Sequence, residues 1–146
     1  MPEGRGTTRL VFVYGTLRRG ECNDITRYAP APIHVGEGET QGTLYHLGPY
    51  PGAVFGGSAR VVGEVYRVTP AVEALLDALE GVQADGEGEY RRREVPVRVQ
   101  GRVLWCLAYE IHPSRLPGRP CIECGDWLCR PGAMRLGMSR TDTDAA

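Results

Sequence analysis

Residues 10–20 read Leu-Val-Phe-Val-Tyr-Gly-Thr-Leu-Arg-Arg-Gly, an apolar run that stops at a glycine and continues as a basic segment. A continuous apolar run rich in valine and aromatic residues predicts a buried strand. Gly15 directly after it permits a sharp turn and the close approach of a ligand to the backbone. Consecutive main-chain N–H groups in such a turn can bind a carboxylate or a phosphate. The same pattern is also typical of a plain strand-to-turn junction.

The length and the charge of the chain limit its class. Its 146 residues are enough for one domain with a buried core. A formal net charge of −1 and scattered arginines, with the run at 91–93 offset by neighbouring glutamates, argue against a nucleic-acid partner. The apolar run at residues 10–14 is too short for a signal peptide or a membrane span, so we expect a cytoplasmic protein.

The 20 glycines and 11 prolines indicate many turns and short strands. Strands are predicted over five segments: 9–14, 34–47, 61–66, 90–100 and 102–111. Loops are predicted over residues 15–32 and 49–57. Gly36, Gly38 and Gly42 interrupt the second strand, and such glycines predict bulges or tight curvature, as in a barrel-like sheet.

The last two strands are predicted to form a hairpin that turns at Gln100-Gly101. Alternation along these strands predicts buried faces at six positions: Val95, Val97, Val99, Val103, Trp105 and Leu107.

The clearest helix is predicted over residues 69–80. Thr69 is a good N-cap, Pro70 suits the first helical position, and Gly81 is a natural C-terminal cap. The spacing i, i+3, i+4, i+7 predicts an apolar face of four residues: Val72, Leu75, Leu76 and Leu79. Strands dominate and a few helices pack outside them, which predicts an α+β fold.

Five segments, taken in order along the chain, resemble the gamma-glutamylcyclotransferase-like family, including its gamma-glutamylamine cyclotransferase and avirulence-induced-protein-like branch. These segments are Tyr14-Gly15-Thr16-Leu17 and residues 44–54, 63–68, 76–81 and 89–97. The resemblance implies a small mixed β-barrel with flanking helices as one domain over residues 9–130. Residues 1–8 and 132–146 are expected to be flexible tails.

Glu80 is the candidate catalytic residue. It lies in the last turn of the predicted helix, where the macrodipole disfavours a carboxylate, and at the edge of the buried face. Both effects raise the pKa of a carboxyl group, as a general base requires. A glutamate before a glycine cap is by itself usually a solvated surface residue, but the resemblance places the family's catalytic glutamate at this position.

The resemblance implies a cofactor-free acyl transfer within the substrate. The α-amine of a small gamma-glutamyl compound would attack its own side-chain carbonyl and release 5-oxoproline and an amine. Glu80 would take a proton from the α-ammonium group and return one to the leaving nitrogen. No metal, nucleotide or redox cofactor is expected.

The implied substrate-binding residues form the turn after the first strand: Tyr14, Gly15, Thr16 and Leu17. Their main-chain N–H groups would bind the glutamyl α-carboxylate. Tyr90 is a further candidate, because family members carry an aromatic residue near this point, although a core tyrosine is equally consistent. The segment 81–89 is longer and more acidic than the loop of many members, and Glu89 is a second candidate carboxylate.

The five cysteines are an odd number without a secretory signal, which favours reduced thiols. Cys121, Cys124 and Cys129 have partial zinc-knuckle spacing, and a fourth ligand would have to be His112 or Cys106. A zinc site or a redox pair is therefore the alternative to plain thiols.

Two functions from different classes remain open. One is a cyclotransferase that acts on a gamma-glutamyl amine, dipeptide or lysine adduct. The other is a non-catalytic module of the same fold that binds a small carboxylated ligand. Glu80 distinguishes them, because a binding module has no need of a carboxylate there. A weaker third possibility is a zinc-stabilised interaction protein that uses residues 121–129. The sequence predicts neither the leaving amine nor the oligomeric state.

Overall fold

The structure, a computed structural model, describes residues 8–129. These residues form five strands and one α-helix: β1 (Arg9–Val13), β2 (Ile33–His46), β3 (Pro51–Val68), α1 (Pro70–Leu79), β4 (Tyr90–Val99) and β5 (Arg102–Ile111). Short 3-10 helices cover Ile25–Arg27, Pro113–Arg115 and Trp127–Cys129. None of these helices has the length and apolarity needed to cross a membrane. Except for residue 8, the tails predicted at 1–8 and 132–146 lie outside the described residues.

The strands close into a barrel in the order β1-β3-β2-β4-β5. Neighbouring strands are antiparallel except where β1 meets β5, a parallel contact in which Val11 lies beside Leu107. Closure pairs the first and last strands of the sheet with each other. The α+β fold, a small mixed β-barrel, is therefore confirmed, with one α-helix packed on its outside.

Two clusters of buried side chains lie on the two faces of the sheet. Alternate strand residues fill the barrel, among them Phe12, Leu44, Val65, Val97 and Cys106. The strand residues between them form the outer cluster, among them Val11, Val13, Tyr66, Leu107 and Tyr109. Val72 and Leu76 of α1 belong to the outer cluster, so burying them holds the helix against the barrel.

The helix begins and ends close to the predicted residues. The hydroxyl of Thr69 accepts a hydrogen bond from the N–H of Val72 at 3.2 Å, which confirms the N-cap. Glu80 is the C-cap, and Gly81 follows it with a φ of +68°. Because this φ lies in the left-handed region, glycine suits the position.

The apolar face of α1 is narrower than predicted. Val72 and Leu76 are buried, whereas Leu75 and Leu79 are 51% and 43% exposed. Only the row of residues spaced i, i+4 packs into the outer cluster, because a helix meets the curved outside of a barrel along one line.

The loop predicted over residues 49–57 is wrong from residue 51 onward. β3 already begins at Pro51, and β2 and β3 form a long hairpin in which Phe55 pairs with Gly42. The glycines and prolines of this segment are typical of loops, but pairing with β2 overrides that local preference. The expected irregularity of β2 is confirmed, because its register shifts between His34 and Gly36 and again between Gln41 and Gly42.

The β4–β5 hairpin turns at Gln100-Gly101 as predicted, and both residues have positive φ. The predicted face of β4 is buried at all three positions: Val95, Val97 and Val99. The predicted face of β5 is wrong at two positions, because Val103 and Trp105 are 57% and 64% exposed. Val103 and Trp105 lie on the same outer face of β5 as Leu107, but unlike Leu107 they are not part of the outer cluster.

Candidate active site

A cavity of about 180 Å³, the first cavity, opens where the ends of β1 and α1 meet the beginnings of β3 and β4. All six residues predicted for the site line it: Tyr14, Gly15, Thr16, Leu17, Glu80 and Tyr90. Four further polar residues share the lining: Asn23, Tyr50, Glu89 and Tyr109. The fold therefore brings together candidates that lie up to 76 positions apart in the sequence.

The Tyr-Gly-Thr-Leu turn, residues 14–17, is held through its carbonyl groups. The carbonyls of Thr16 and Leu17 accept hydrogen bonds at 2.9 Å from the N–H groups of Asn23 and Ile25. The N–H groups of Thr16 and Leu17 donate to no group within residues 8–129. Unused main-chain donors in the wall of a cavity can bind an anion such as a carboxylate.

Gly15, Pro51 and Tyr90 pack closely at the wall of the first cavity. A Cβ atom on Gly15 would lie 2.6 Å from Cγ of Pro51, so this position has no room for a side chain. The hydroxyl of Tyr90 donates to the carbonyl of Pro51 at 2.6 Å. Burial first, and then the nearby Tyr14, Glu80 and Glu89, raise the pKa of Tyr90 far above its usual value. Tyr90 therefore stays a neutral wall residue.

Tyr14 is also held in one position. Its hydroxyl donates to the carbonyl of Tyr109 at 2.6 Å and accepts from the N–H of Ala53 at 3.1 Å. Burial, followed by the charge of Glu80, raises the pKa of Tyr14 well above its usual value. Because both hydrogen bonds join protein groups, Tyr14 links β1 to β3 and β5, and its side chain forms the cavity wall.

Arg18, the basic residue after the turn, is buried and paired. Its guanidinium group lies 3.0 Å from a carboxylate oxygen of Glu64 and 2.7 Å from one of Asp126. Glu64 also accepts from the N–H of Arg19 at 3.1 Å and from the hydroxyl of Tyr66 at 3.0 Å. This network joins the turn to β3 and to the segment before the last 3-10 helix.

Glu80 reaches the first cavity with a carboxylate that has no partner within residues 8–129. Burial first, and then the charge of Glu89, raise the pKa of Glu80 to about 8. The sequence predicted this direction. Burial was one of the two causes predicted, and the second cause in the structure is the charge of Glu89, where the sequence indicated the macrodipole.

Glu89, the second candidate carboxylate, lines the same cavity and accepts a hydrogen bond from the hydroxyl of Tyr50. Tyr50 was not singled out in the sequence, although it lies in the segment 44–54 that resembles the family. Asn23 was also missed; its amide nitrogen donates to the hydroxyl of Thr16 at 3.1 Å. No motif marks Asn23, because only the folded loop brings it to the turn.

The cysteines do not assemble a zinc site in the described part of the chain. The structure pairs Cys124 with Cys129 as a disulfide, where the sequence favoured reduced thiols and kept a redox pair as the alternative. Cys121 is exposed and free, and Cys106 is buried and free. Residues 8–129 contain no group of three or more His, Cys, Asp or Glu side chains that could hold a metal ion.

Comparison of the sequence with known proteins finds the family that the five segments resemble, and the match covers most of the chain. The model of the family described as "Gamma-glutamyl cyclotransferase, AIG2-like" matches residues 11–129. A Vibrio cholerae protein named putative gamma-glutamylcyclotransferase is 41% identical over 123 residues, which cover 83% of this chain and 96% of that protein. The Escherichia coli K12 gamma-glutamylcyclotransferase family protein YtfP is 37% identical over 121 residues, 82% of this chain and 96% of that one.

Solved structures show the same fold. An AIG2-like protein from Mus musculus superimposes with a TM-score of 0.63 at 27% identity, over 75% of this chain and 82% of that chain. The solution structure of ytfP from Escherichia coli gives a TM-score of 0.55 at 36% identity, over 83% of this chain and 97% of that chain.

Proposed function

The chain belongs to the gamma-glutamyl cyclotransferase, AIG2-like family, and we propose that it converts a small gamma-glutamyl compound into 5-oxoproline and a free amine. The observation that carries this proposal is the carboxylate of Glu80, which has a pKa of about 8 in a cavity lined by the Tyr-Gly-Thr-Leu turn. The cytoplasmic location of this reaction stays a prediction from the sequence.

Glu80 would act as the general base. The α-amine of the substrate is protonated and cannot attack until it loses a proton, and a carboxylate with a pKa of about 8 is matched to an α-ammonium group. The freed amine attacks the side-chain carbonyl of the same molecule and closes a five-membered ring. Correctly placed proton transfer contributes about 10²–10⁴-fold to the rate.

Glu80 would then act as the general acid for the leaving group. The amide C–N bond breaks while the new C–N bond of the ring is retained. Two protons leave the α-nitrogen and two arrive on the expelled nitrogen, so the reaction consumes neither water nor a co-reactant. Nucleophile and electrophile belong to one molecule, and holding that molecule folded supplies the proximity that ring closure needs.

The N–H groups of Thr16 and Leu17 would hold the glutamyl α-carboxylate. Within residues 8–129 these two donors have no partner and lie in the cavity wall, and the partial positive charge of an N–H group suits an anion. Tyr14 and Tyr90 would close the sides of the site, since their hydroxyl groups are occupied by backbone carbonyls.

The alternative is a non-catalytic module that binds a small carboxylated ligand in the same cavity. Such a module would explain the free N–H groups but not the glutamate. Burying a carboxylate without a partner costs stability, and a binding site for an anion gains nothing from a second negative group. The unpaired Glu80 therefore favours catalysis.

The test is release of 5-oxoproline from a panel of gamma-glutamyl amino acids and amines, with Glu80→Gln as the variant. We expect turnover of at least one compound and a loss of at least about 100-fold in kcat in the variant. Glu37→Gln, a change at an exposed glutamate of β2, is the matched control and should keep full activity. No 5-oxoproline from any compound would favour the binding module, and undiminished turnover by Glu80→Gln would remove Glu80 from the mechanism.

A further inference from the structure

A second cavity of about 250 Å³ adjoins the first. The two cavities share Tyr50 and Glu89 as lining residues, so this hydrogen-bonded pair forms the boundary between them. The far wall of the second cavity comes from the segment after β5 and carries Ser114, Arg115 and Arg119. The two arginines therefore lie on the far side of Tyr50 and Glu89 from the first cavity.

The charges of the second cavity are unbalanced. Arg115 and Arg119 form no ion pair within residues 8–129. Within residues 8–129 the guanidinium group of Arg119 makes one hydrogen bond, a long one of 3.4 Å to the carbonyl of Leu47. Two guanidinium groups against the one carboxylate of Glu89 leave a formal charge of +1, and the hydroxyl of Tyr50 already occupies Glu89. The charge that lacks an ion-pair partner among the described residues of this cavity is therefore positive.

The positive charge of both arginines also extends to the boundary. The pKa of Tyr50 is raised, and its hydrogen bond to Glu89 is the largest cause. Arg115 and Arg119 both act in the opposite direction and lower this pKa. A group at the boundary of the two cavities therefore lies within the electrostatic reach of both guanidinium groups.

We propose that the second cavity binds the leaving group of the substrate, and that Arg115 and Arg119 recognise a carboxylate on it. This inference rests on the proposed function, because it places the glutamyl part in the first cavity. The substrate class is then gamma-glutamyl amino acids and peptides, whose leaving amine carries a carboxylate. Gamma-glutamyl amines lack that group, and a polyamine adduct would bring a positive charge against two arginines.

The chemistry of the guanidinium group favours a carboxylate as the ligand of the two arginines. Its planar set of N–H donors matches the two oxygens of a carboxylate, and hydrogen bonds between charged partners are stronger than neutral ones. Because both arginines are exposed and screened by solvent, the expected discrimination is moderate, about tenfold in kcat/KM.

The experiment compares two substrates that differ only in the carboxylate, gamma-glutamyl-alanine and gamma-glutamyl-ethylamine. We expect the native protein to release 5-oxoproline from the alanine compound with a kcat/KM about tenfold higher. In the double variant Arg115→Ala and Arg119→Ala this ratio should fall to near one. Arg98→Ala, at the opposite end of the β4–β5 hairpin and also exposed, is the matched control and should keep the ratio.

The outcomes separate this inference from the proposed function. Equal kcat/KM for the two compounds, with 5-oxoproline released from both, would overturn the inference and leave the proposed function standing. No product from either compound would contradict the proposed function, and calorimetric binding of the same two compounds would then decide. Tighter binding of the alanine compound that the double variant abolishes would support the second cavity as a carboxylate site. Equal binding of the two compounds, or binding of neither, would overturn the inference.

If the double variant does not fold, as judged by circular dichroism and thermal unfolding, the single variants replace it. Arg115→Ala and Arg119→Ala are each expected to reduce the ratio of kcat/KM by about threefold. A ratio that stays at about ten in both single variants would overturn the proposal.

Discussion

At the scale of single residues, the titration of Glu80 depends on two neighbours of different kinds. The surrounding protein removes water from the carboxylate, and Glu89 adds a second negative charge in the same cavity. Both disfavour the ionised form, so the pKa rises to about 8. A general base works in its ionised form, and kcat/KM should therefore increase as the pH rises through this value.

Replacing Glu89 with glutamine should move the pH profile of kcat/KM to lower pH. The change removes the charge that acts against ionisation of Glu80, but burial of Glu80 remains, so the midpoint should stay above the usual pKa of a glutamate, about 4.3. The measurement is kcat/KM for 5-oxoproline release between pH 5 and pH 9. Glu87→Gln, at an exposed neighbouring carboxylate that pairs with His112, is the control and should leave the midpoint in place. An unchanged midpoint in Glu89→Gln would show that burial alone sets the pKa of Glu80.

The sequence indicates Glu80 and Glu89 separately but not their interaction. Glu80 is recognisable at the end of a helix with a clear N-cap and C-terminal glycine, and Glu89 lies nine positions later in an acidic segment. Their coupling requires the segment 81–89 to return to the helix end, with Gly81 in a left-handed conformation and β4 beginning at Tyr90. No periodic pattern specifies that path. The sequence therefore indicates the macrodipole as a cause of the raised pKa of Glu80 and does not reveal the charge of Glu89 as another.

At the scale of elements, α1 positions Glu80, and local signals specify most of this helix. Thr69, Pro70 and Gly81 mark its two ends, and all three act as predicted. The exposed positions Leu75 and Leu79 could not be predicted, because helical periodicity shows which residues share a face but not how wide the contact with a curved sheet is. Leu79 instead lines the first cavity beside Glu80.

The variant Thr69→Ala should destabilise the protein by about 1 kcal/mol. The hydroxyl of Thr69 satisfies the N–H of Val72, which has no partner within the helix once the cap is removed. The measurement is the free energy of unfolding in urea. Ser58→Ala, at an exposed serine of β3, is the matched control, and its effect should stay within about 0.5 kcal/mol. Equal losses in the two variants would contradict the assignment of Thr69 as the cap.

At the scale of the whole molecule, barrel closure brings the turn after β1 close to the other residues that line the first cavity. β1 pairs with β3 and β5, and its parallel contact with β5 places the turn at its end next to the end of β5. The beginning of β3 reaches the same turn because Pro51 packs against Gly15. The sequence predicts that strands dominate and that the glycines of the second strand curve the sheet as in a barrel, and the resemblance adds that the barrel is small and mixed. The pairing of β1 with β5 joins segments almost a hundred residues apart, and local pattern carries no information about it.

The variant Arg18→Met tests how the whole fold supports the turn. Removing the guanidinium group leaves the buried carboxylate of Glu64 without its charged partner, although Tyr66 and the N–H of Arg19 still donate to it. Breaking a buried ion pair costs about 3–5 kcal/mol, and the remaining hydrogen bonds favour the lower figure. The free energy of unfolding in urea should therefore fall by about 3 kcal/mol, and kcat/KM should fall as well, because the turn loses its link to Asp126.

Arg60→Met is the matched control for Arg18→Met, because it breaks a single ion pair of similar length at the surface. Arg60 lies 2.8 Å from Glu39, and their side chains are 62% and 42% exposed. An exposed pair contributes at most about 1 kcal/mol, and this one lies outside the first cavity, so the control should lose little stability and no activity. Similar losses of stability in the two variants would show that the Arg18 network does not hold the turn. A stable Arg18→Met protein with normal kcat/KM would show that the hydrogen bonds of Thr16 and Leu17 to Asn23 and Ile25 are sufficient for that purpose.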